Sequence, residues 1–112
     1  MANMSFMLTK EQVRNRTKTV TRRDGWWKLK PGDIVTMCEQ CQGLKKGEKI
    51  VILGVMKVIT AKPEILSLIT QDDCAREGFP GMTPGEFVEM FCKTHKGVRP
   101  TTPINRIEFE YI

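Results

Sequence analysis

The chain has no apolar run approaching the roughly 20 residues that a membrane-spanning helix needs. Its first residues lack the long apolar core of a secretory signal, which points to a cytoplasmic protein. Internal repeats, low-complexity tracts and linker-like stretches are also missing. The 112 residues are therefore expected to form one domain, 1–112, around a single modest core. Histidine is nearly absent: His95 stands alone, and a structural or exposed position is expected for it.

Cysteine is present but sparse. Cys38 and Cys41 form a Cys-x-x-Cys pair, and Cys92 stands three residues before His95, a spacing that would suit four zinc ligands. Yet Cys38 falls at the end of an expected strand and Cys92 on an expected helix, where a free thiol packs as a small hydrophobe. A reducing compartment also disfavours a disulfide. The expectation is no metal, no other cofactor and no disulfide.

What the chain does have is positive charge in one place. It carries 18 basic and 13 acidic residues, a net of +5. The first 30 residues hold eight Lys/Arg and two acids, so the whole excess lies there and the remainder sums to −1. A local field of this kind steers phosphate-bearing partners, although small proteins also carry modest positive charge for solubility alone. The centre of the basic region is residues 17–23, Thr-Lys-Thr-Val-Thr-Arg-Arg. Its β-branched content favours a strand over 18–23. Alternation would then put Thr17, Thr19, Thr21 and Arg23 on one face and Lys18, Val20 and Arg22 on the other. Hydroxyls beside an arginine suit an oxygen-rich ligand such as a phosphate or a nucleobase carbonyl. The plain alternative is a solvated edge strand.

The rest of the chain reads as helix, strands, helices, strand. Thr9-Lys-Glu-Gln12 looks like a capping box opening a helix over 10–16. A strand is expected over 33–38 and a longer one over 49–60, with Gly54 marking a bulge or bend. Pro63 should precede a short turn over 64–68. Thr70 begins a short helix closed by Gly78. Thr83-Pro-Gly-Glu86 is the best helix start, and Phe87, Met90 and Phe91 recur behind it at helical spacing as core residues, with Gly97 as the stop. In the final segment Ile107, Phe109 and Tyr111 alternate with charged residues, the mark of a half-buried strand. This order predicts an α+β fold, a small mixed or barrel-like sheet with helices packed on it.

Five short motifs in this order carry a resemblance. Lys-Thr-Val-Thr-Arg-Arg (18–23), Leu-Lys-Pro-Gly-Asp (29–33), Glu-Gly-Phe (77–79), Glu-Phe (86–87) and Arg-Ile-Glu-Phe (106–109) resemble the ASCH domain family of the PUA-like superfamily, closest in wording to small phage and prophage proteins. The resemblance implies a PUA-like small β-barrel with flanking helices and a central cleft for RNA or a modified nucleoside or nucleobase. One branch of that family removes the acetyl group from N4-acetylcytidine without a metal. Carried over residue by residue, the resemblance implies Lys18, Thr21 and Glu77 as the catalytic group, with Arg23 as the matching arginine. Other members bind RNA or resemble nucleases. The Gly-Trp-Trp segment at 25–27 and the Met-Cys-Glu-Gln-Cys segment at 37–41 depart from the amidohydrolase branch.

The chemistry of such a group can be stated on its own terms. A threonine hydroxyl attacks only when a base takes its proton. A lysine serves as that base only if burial or a neighbouring cation lowers its pKa, and Arg22 and Arg23 are nearby in sequence. Glu77 would then pass a proton to the leaving amine. On an ideal strand Lys18 and Thr21 face opposite ways, so a bulge or a helix-to-strand bend near Thr19 is required. Thr19, Arg22 and Arg23 are expected to contact the ligand, and Trp26 and Trp27 either stack on a base or cap the core. Two readings stand: a binding module for RNA or a modified nucleoside, or a small amidohydrolase on N4-acylated cytidine. An RNase-like activity is a third, weaker one.

Overall fold

The computed structural model describes residues 2–112. A sheet of five strands is built from β1 (Ala2–Ser5), β2 (Val20–Arg23), β3 (Ile34–Cys38), β4 (Ile52–Ile65) and β5 (Pro103–Tyr111). Their spatial order is β1-β3-β4-β5-β2, with β1 parallel to β3 and the other pairs antiparallel. The α+β class and the mixed sheet agree with the sequence expectation; the sheet is a half-barrel. Three helices accompany it: α1 (Lys10–Arg14), α2 (Gln71–Arg76) and α3 (Pro84–Thr94), with single 3-10 turns at Met7–Thr9 and Leu66–Leu68. Among the described residues no helix is long and apolar enough to cross a membrane.

Two apolar clusters pack against the sheet. One joins Met4, Phe6, Val35, Met56, Ile107 and Phe109 with Val13 of α1. The other joins Leu66, Ile69, Cys74, Phe87, Phe91 and Ile104 around α2 and α3. Ile107 and Phe109 are buried as their alternation predicts, and Ile104 and Asn105 add to the buried part of β5. The α3 start is a full capping box: Thr83 Oγ1 accepts from the Glu86 amide and Glu86 Oε1 from the Thr83 amide. At Gly54 the pairing slips by one residue, Met37 facing Gly54 and Cys38 facing Ile52, which is the expected bulge.

Other expectations need correction. β1 carries no strong pattern of its own and gains its place by pairing with β3. β4 runs on past Thr60 to Ile65, with Pro63 inside it opposite Asn105, because the long β5 offers partners over that whole length. Thr9 makes no side-chain cap on α1; Gln12 instead turns its amide outward to donate to the Gly78 carbonyl at 3.1 Å. Cys38 and Cys41 are joined as a disulfide, their Cα atoms 6.4 Å apart. The chain folds back directly after β3, and that turn, invisible in the spacing alone, puts the two sulfurs together. Cys74 and Cys92 are free. Among the described residues no group of three or more His, Cys, Asp or Glu is placed to hold a metal ion.

Candidate functional site

The geometry begins where α1 stops. Arg16 takes a left-handed conformation (φ 61°). Its amide donates to the Val13 carbonyl and the Thr17 amide to the Gln12 carbonyl, a Schellman ending. Glycine is the usual residue there. This reversal ends the helix at Arg14 rather than 16 and carries Lys18 inward before β2 begins at Val20. Lys18 is thus outside the strand, and the two-face alternation expected over 17–23 does not apply to it. The required helix-to-strand bend is this turn. Thr21 and Arg23 then follow on β2 and line the same cleft as Lys18.

Glu77 comes from the other side. Thr70 caps α2 through its hydroxyl, which accepts from the Asp73 amide at 3.1 Å. The helix is closed after Glu77 by Gly78 (φ 102°). A Cβ at Gly78 would come within 2.8 Å of Gln12 Cγ, so the position needs glycine for both its backbone and its space.

Four cations and three carboxylates meet here. Lys18 Nζ donates to Glu77 Oε1 at 2.7 Å and to the Glu77 carbonyl at 2.8 Å. Arg22 reaches Glu77 Oε2 at 3.4 Å, Glu64 Oε1 at 2.7 Å and Asp73 Oδ2 at 2.7 Å. Arg22 faces Arg106 directly across the β2–β5 pair, a repulsive placement for like charges. Asp73 resolves it by accepting from both, with Arg106 Nε at 2.7 Å and Nη2 at 2.9 Å. These bonds, the Arg106 pair foremost, hold the Asp73 carboxyl down to about 2. Arg22 Nε is buried without a partner among the described residues.

Lys18 and Glu77 are each 3% exposed. Burial pushes the Lys18 ammonium below its ordinary range; Glu77 opposes this, and Arg23 and Arg22 add to it. Arg23 lacks a carboxylate of its own. Its Nε donates to Thr21 Oγ1 at 3.0 Å and its guanidinium lies 4.5 Å over the Phe6 ring. Its terminal nitrogens have no acceptor among the described residues, and burial lowers its pKa to about 10. Thr21 Oγ1 accepts from Arg23, so its own proton is free to be given away.

The cleft has a volume of about 260 Å³. Beside the ionic groups the cleft is lined by Phe6, over which Arg23 lies, and by Phe79, Phe87, Phe91 and His95, with the exposed Met7, Leu8 and Thr94 and the half-buried Met90 at its rim. His95, expected to be structural or exposed, is part of this lining, stacked on Phe91 with centroids 3.8 Å apart and planes 4° from parallel.

Lys18, Thr21, Arg22, Arg23 and Glu77 all line this one cleft. Three other expected ligand contacts do not. The Thr19 amide and carbonyl bond to Arg76 and Phe109, and its hydroxyl is 3.4 Å from Arg76 Nε. Trp26 packs half-buried on the β-sheet core, and Trp27 is 52% exposed away from the cleft. Sequence reasoning missed Asp73, Glu64, Arg106 and the aromatic wall. Asp73 lies in the short helix that Thr70 begins, and nothing local told that β2 and β5 would set two arginines face to face around it.

No family model matches the chain, and no curated protein matches it. Among solved structures the fold is similar to protein EF3133 from Enterococcus faecalis V583, described by the family model DUF984, with a TM-score of 0.69 at 12% identity over 99% of this chain and 79% of that one. It is also similar to the hypothetical protein PH0355, with a TM-score of 0.66 at 19% identity over 99% of this chain and 96% of that one. At these identities the likeness extends to the fold alone.

Proposed function

We propose that the chain is an ASCH-type, PUA-like domain whose cleft takes a modified nucleoside and hydrolyses an acyl amide on its base, as in N4-acetylcytidine. The observation that carries this reading is the buried Lys18–Glu77 pair, 2.7 Å apart and sharing a cleft with the Thr21 hydroxyl and an unpaired Arg23. Burying such a pair does not stabilise a fold beyond what apolar residues would give, and perturbed titrating groups in a cleft mark chemistry.

The steps follow from the groups present. Lys18 in its uncharged form, which burial favours, takes the Thr21 hydroxyl proton as Oγ1 attacks the acyl carbonyl carbon. The terminal nitrogens of Arg23 donate to the oxyanion that forms. Glu77 relays that proton from Lys18 to the leaving exocyclic nitrogen as the C–N bond breaks. Uncharged again, Lys18 takes a proton from the water that attacks the threonine ester and returns it to Thr21 Oγ1 as the acid departs. The products are the free amine and a carboxylic acid.

A second reading, binding of a modified nucleoside without turnover, is favoured by one observation: Lys18 Nζ bonds to Glu77 and makes no hydrogen bond to Thr21. Apo sites commonly tighten only with substrate. Grip on an RNA backbone has less support, because Lys18 and Arg22 spend their charge on carboxylates and Arg23 alone is unpaired.

Incubation with N4-acetylcytidine, other N4-acylcytidines and short RNAs, followed by mass spectrometry, tests these readings. Acyl loss that disappears in Lys18→Met, Thr21→Ala and Glu77→Gln is the expected result. Retention without conversion supports the second reading. Neither retention nor conversion overturns both, and RNA fragmentation would point to a nuclease instead.

A further inference from the structure

The end of the cleft away from the ion pairs has a polar group that the proposed chemistry does not use. His95 follows α3, and its ring is fixed twice, by stacking on Phe91 and by Nδ1, 3.0 Å from the Phe91 carbonyl. A carbonyl oxygen only accepts, so Nδ1, which is also 3.0 Å from Thr94 Oγ1, carries a proton, and in that tautomer the lone pair is on Nε2. Nε2 has no partner among the described residues. The neighbouring Thr94 hydroxyl is already held by the Met90 carbonyl at 3.0 Å and the Phe91 carbonyl at 3.3 Å.

The two ends of the cleft therefore ask for opposite groups. At the ionic end Arg22 Nε is buried without a partner and the terminal nitrogens of Arg23 have no acceptor among the described residues, donors that call for an acceptor such as a carbonyl oxygen. At the other end the unsatisfied atom is an acceptor, which calls for a hydroxyl. Between them lies an apolar, largely aromatic wall suited to a flat ring. We infer that His95 Nε2 is a sugar subsite: it accepts a hydrogen bond from a ribose hydroxyl of a nucleoside whose base lies along Phe87 and Phe91 and whose acyl oxygen meets Arg23. This rests on the reading that the cleft takes an acylated nucleoside.

Calorimetric titration in the Thr21→Ala background, where no acyl group is lost, tests it with two probes. N4-acetylcytidine carries the sugar; N4-acetyl-1-methylcytosine has the same base and acyl group with a methyl in its place. His95→Phe keeps a flat ring on Phe91 and removes Nε2, and His95→Gln puts an amide where Nε2 stood. His95→Phe should weaken the nucleoside about five- to tenfold, the size of one lost hydrogen bond. It should leave the methylated base unchanged, and His95→Gln should recover most of the loss. Unchanged nucleoside affinity in His95→Phe, or equal loss for both probes, overturns the subsite alone. If neither probe binds the His95-bearing protein, the subsite falls together with the nucleoside reading. Thermal unfolding of each variant separates these outcomes from a folding defect: His95→Phe keeps the stack on Phe91 and should not shift the transition.

Discussion

Phe6, Phe87 and Phe91 on one wall of the cleft and Lys18, Arg22 and Glu77 on the other are buried to the same degree, each at 4% exposure or less. The physical account of the two walls is nevertheless opposite. Each phenylalanine belongs to an apolar cluster, Phe6 on the sheet side and Phe87 and Phe91 on the helical side, and its burial contributes roughly 1.5–3 kcal/mol to folding. The charged side chains give up hydration worth several kcal/mol each and regain it only through their partners. One wall helps to hold the molecule together; the other is held in place by it. A fold that needed only stability would have made both walls apolar.

The sharpest way to break this comparison is to remove one partner and then both. Glu77→Ala leaves Lys18 and Arg22 facing a buried void, and should lower unfolding stability by about 3–5 kcal/mol in urea titration. The double variant Lys18→Met/Glu77→Leu should recover most of that loss while remaining inactive on N4-acetylcytidine. A double variant as unstable as Glu77→Ala would show that the ionic wall does structural work after all.

Acid acts on the same wall with a somewhat smaller effect. The Asp73 carboxyl is held at about 2, below its ordinary 3.8, chiefly by Arg106 and then Arg22. A depressed carboxyl contributes stability that is complete above its unfolded value and is lost as pH falls through the folded one. Asp73 should thus add about 2 kcal/mol above pH ~4 and lose it towards pH ~2. Asp73→Asn should flatten the stability curve over that window; an unchanged acid limb would remove Asp73 from the account.

On the aromatic side, Phe87→Leu conserves apolar character and most of the volume. It should lower stability by only about 1–1.5 kcal/mol, and should weaken nucleoside binding through the lost ring face. The smallest effect belongs to Trp27, exposed and away from the cleft. Trp27→Ala should change stability by less than about 0.5 kcal/mol and leave nucleoside affinity unaltered. A large loss of affinity would restore it as a base-stacking residue.

Several features follow from local sequence alone. The Thr83–Glu86 box, the Thr70 cap, the Gly78 stop and the alternation in β5 are short-range patterns whose physics is complete within a few residues, and each stands in the structure as read. The slip at Gly54 belongs with them. The resemblance around Lys18, Thr21, Arg23 and Glu77 also selected residues that the fold gathers into one cleft, although Thr19, Trp26 and Trp27 are elsewhere.

The rest needed the structure, either because no residue pattern announces it or because its causes are not local. The left-handed turn at Arg16 has no glycine to announce it; it is fixed by bonds from α1, and it alone decides that Lys18 leaves the strand pattern. The disulfide depends on the chain doubling back after β3. Asp73 became the centre of an ion network only when β2 and β5 set Arg22 against Arg106. Caps and alternation are decided by neighbours along the chain, whereas burial and charge pairing are decided by neighbours in space, and those exist only once the sheet has formed.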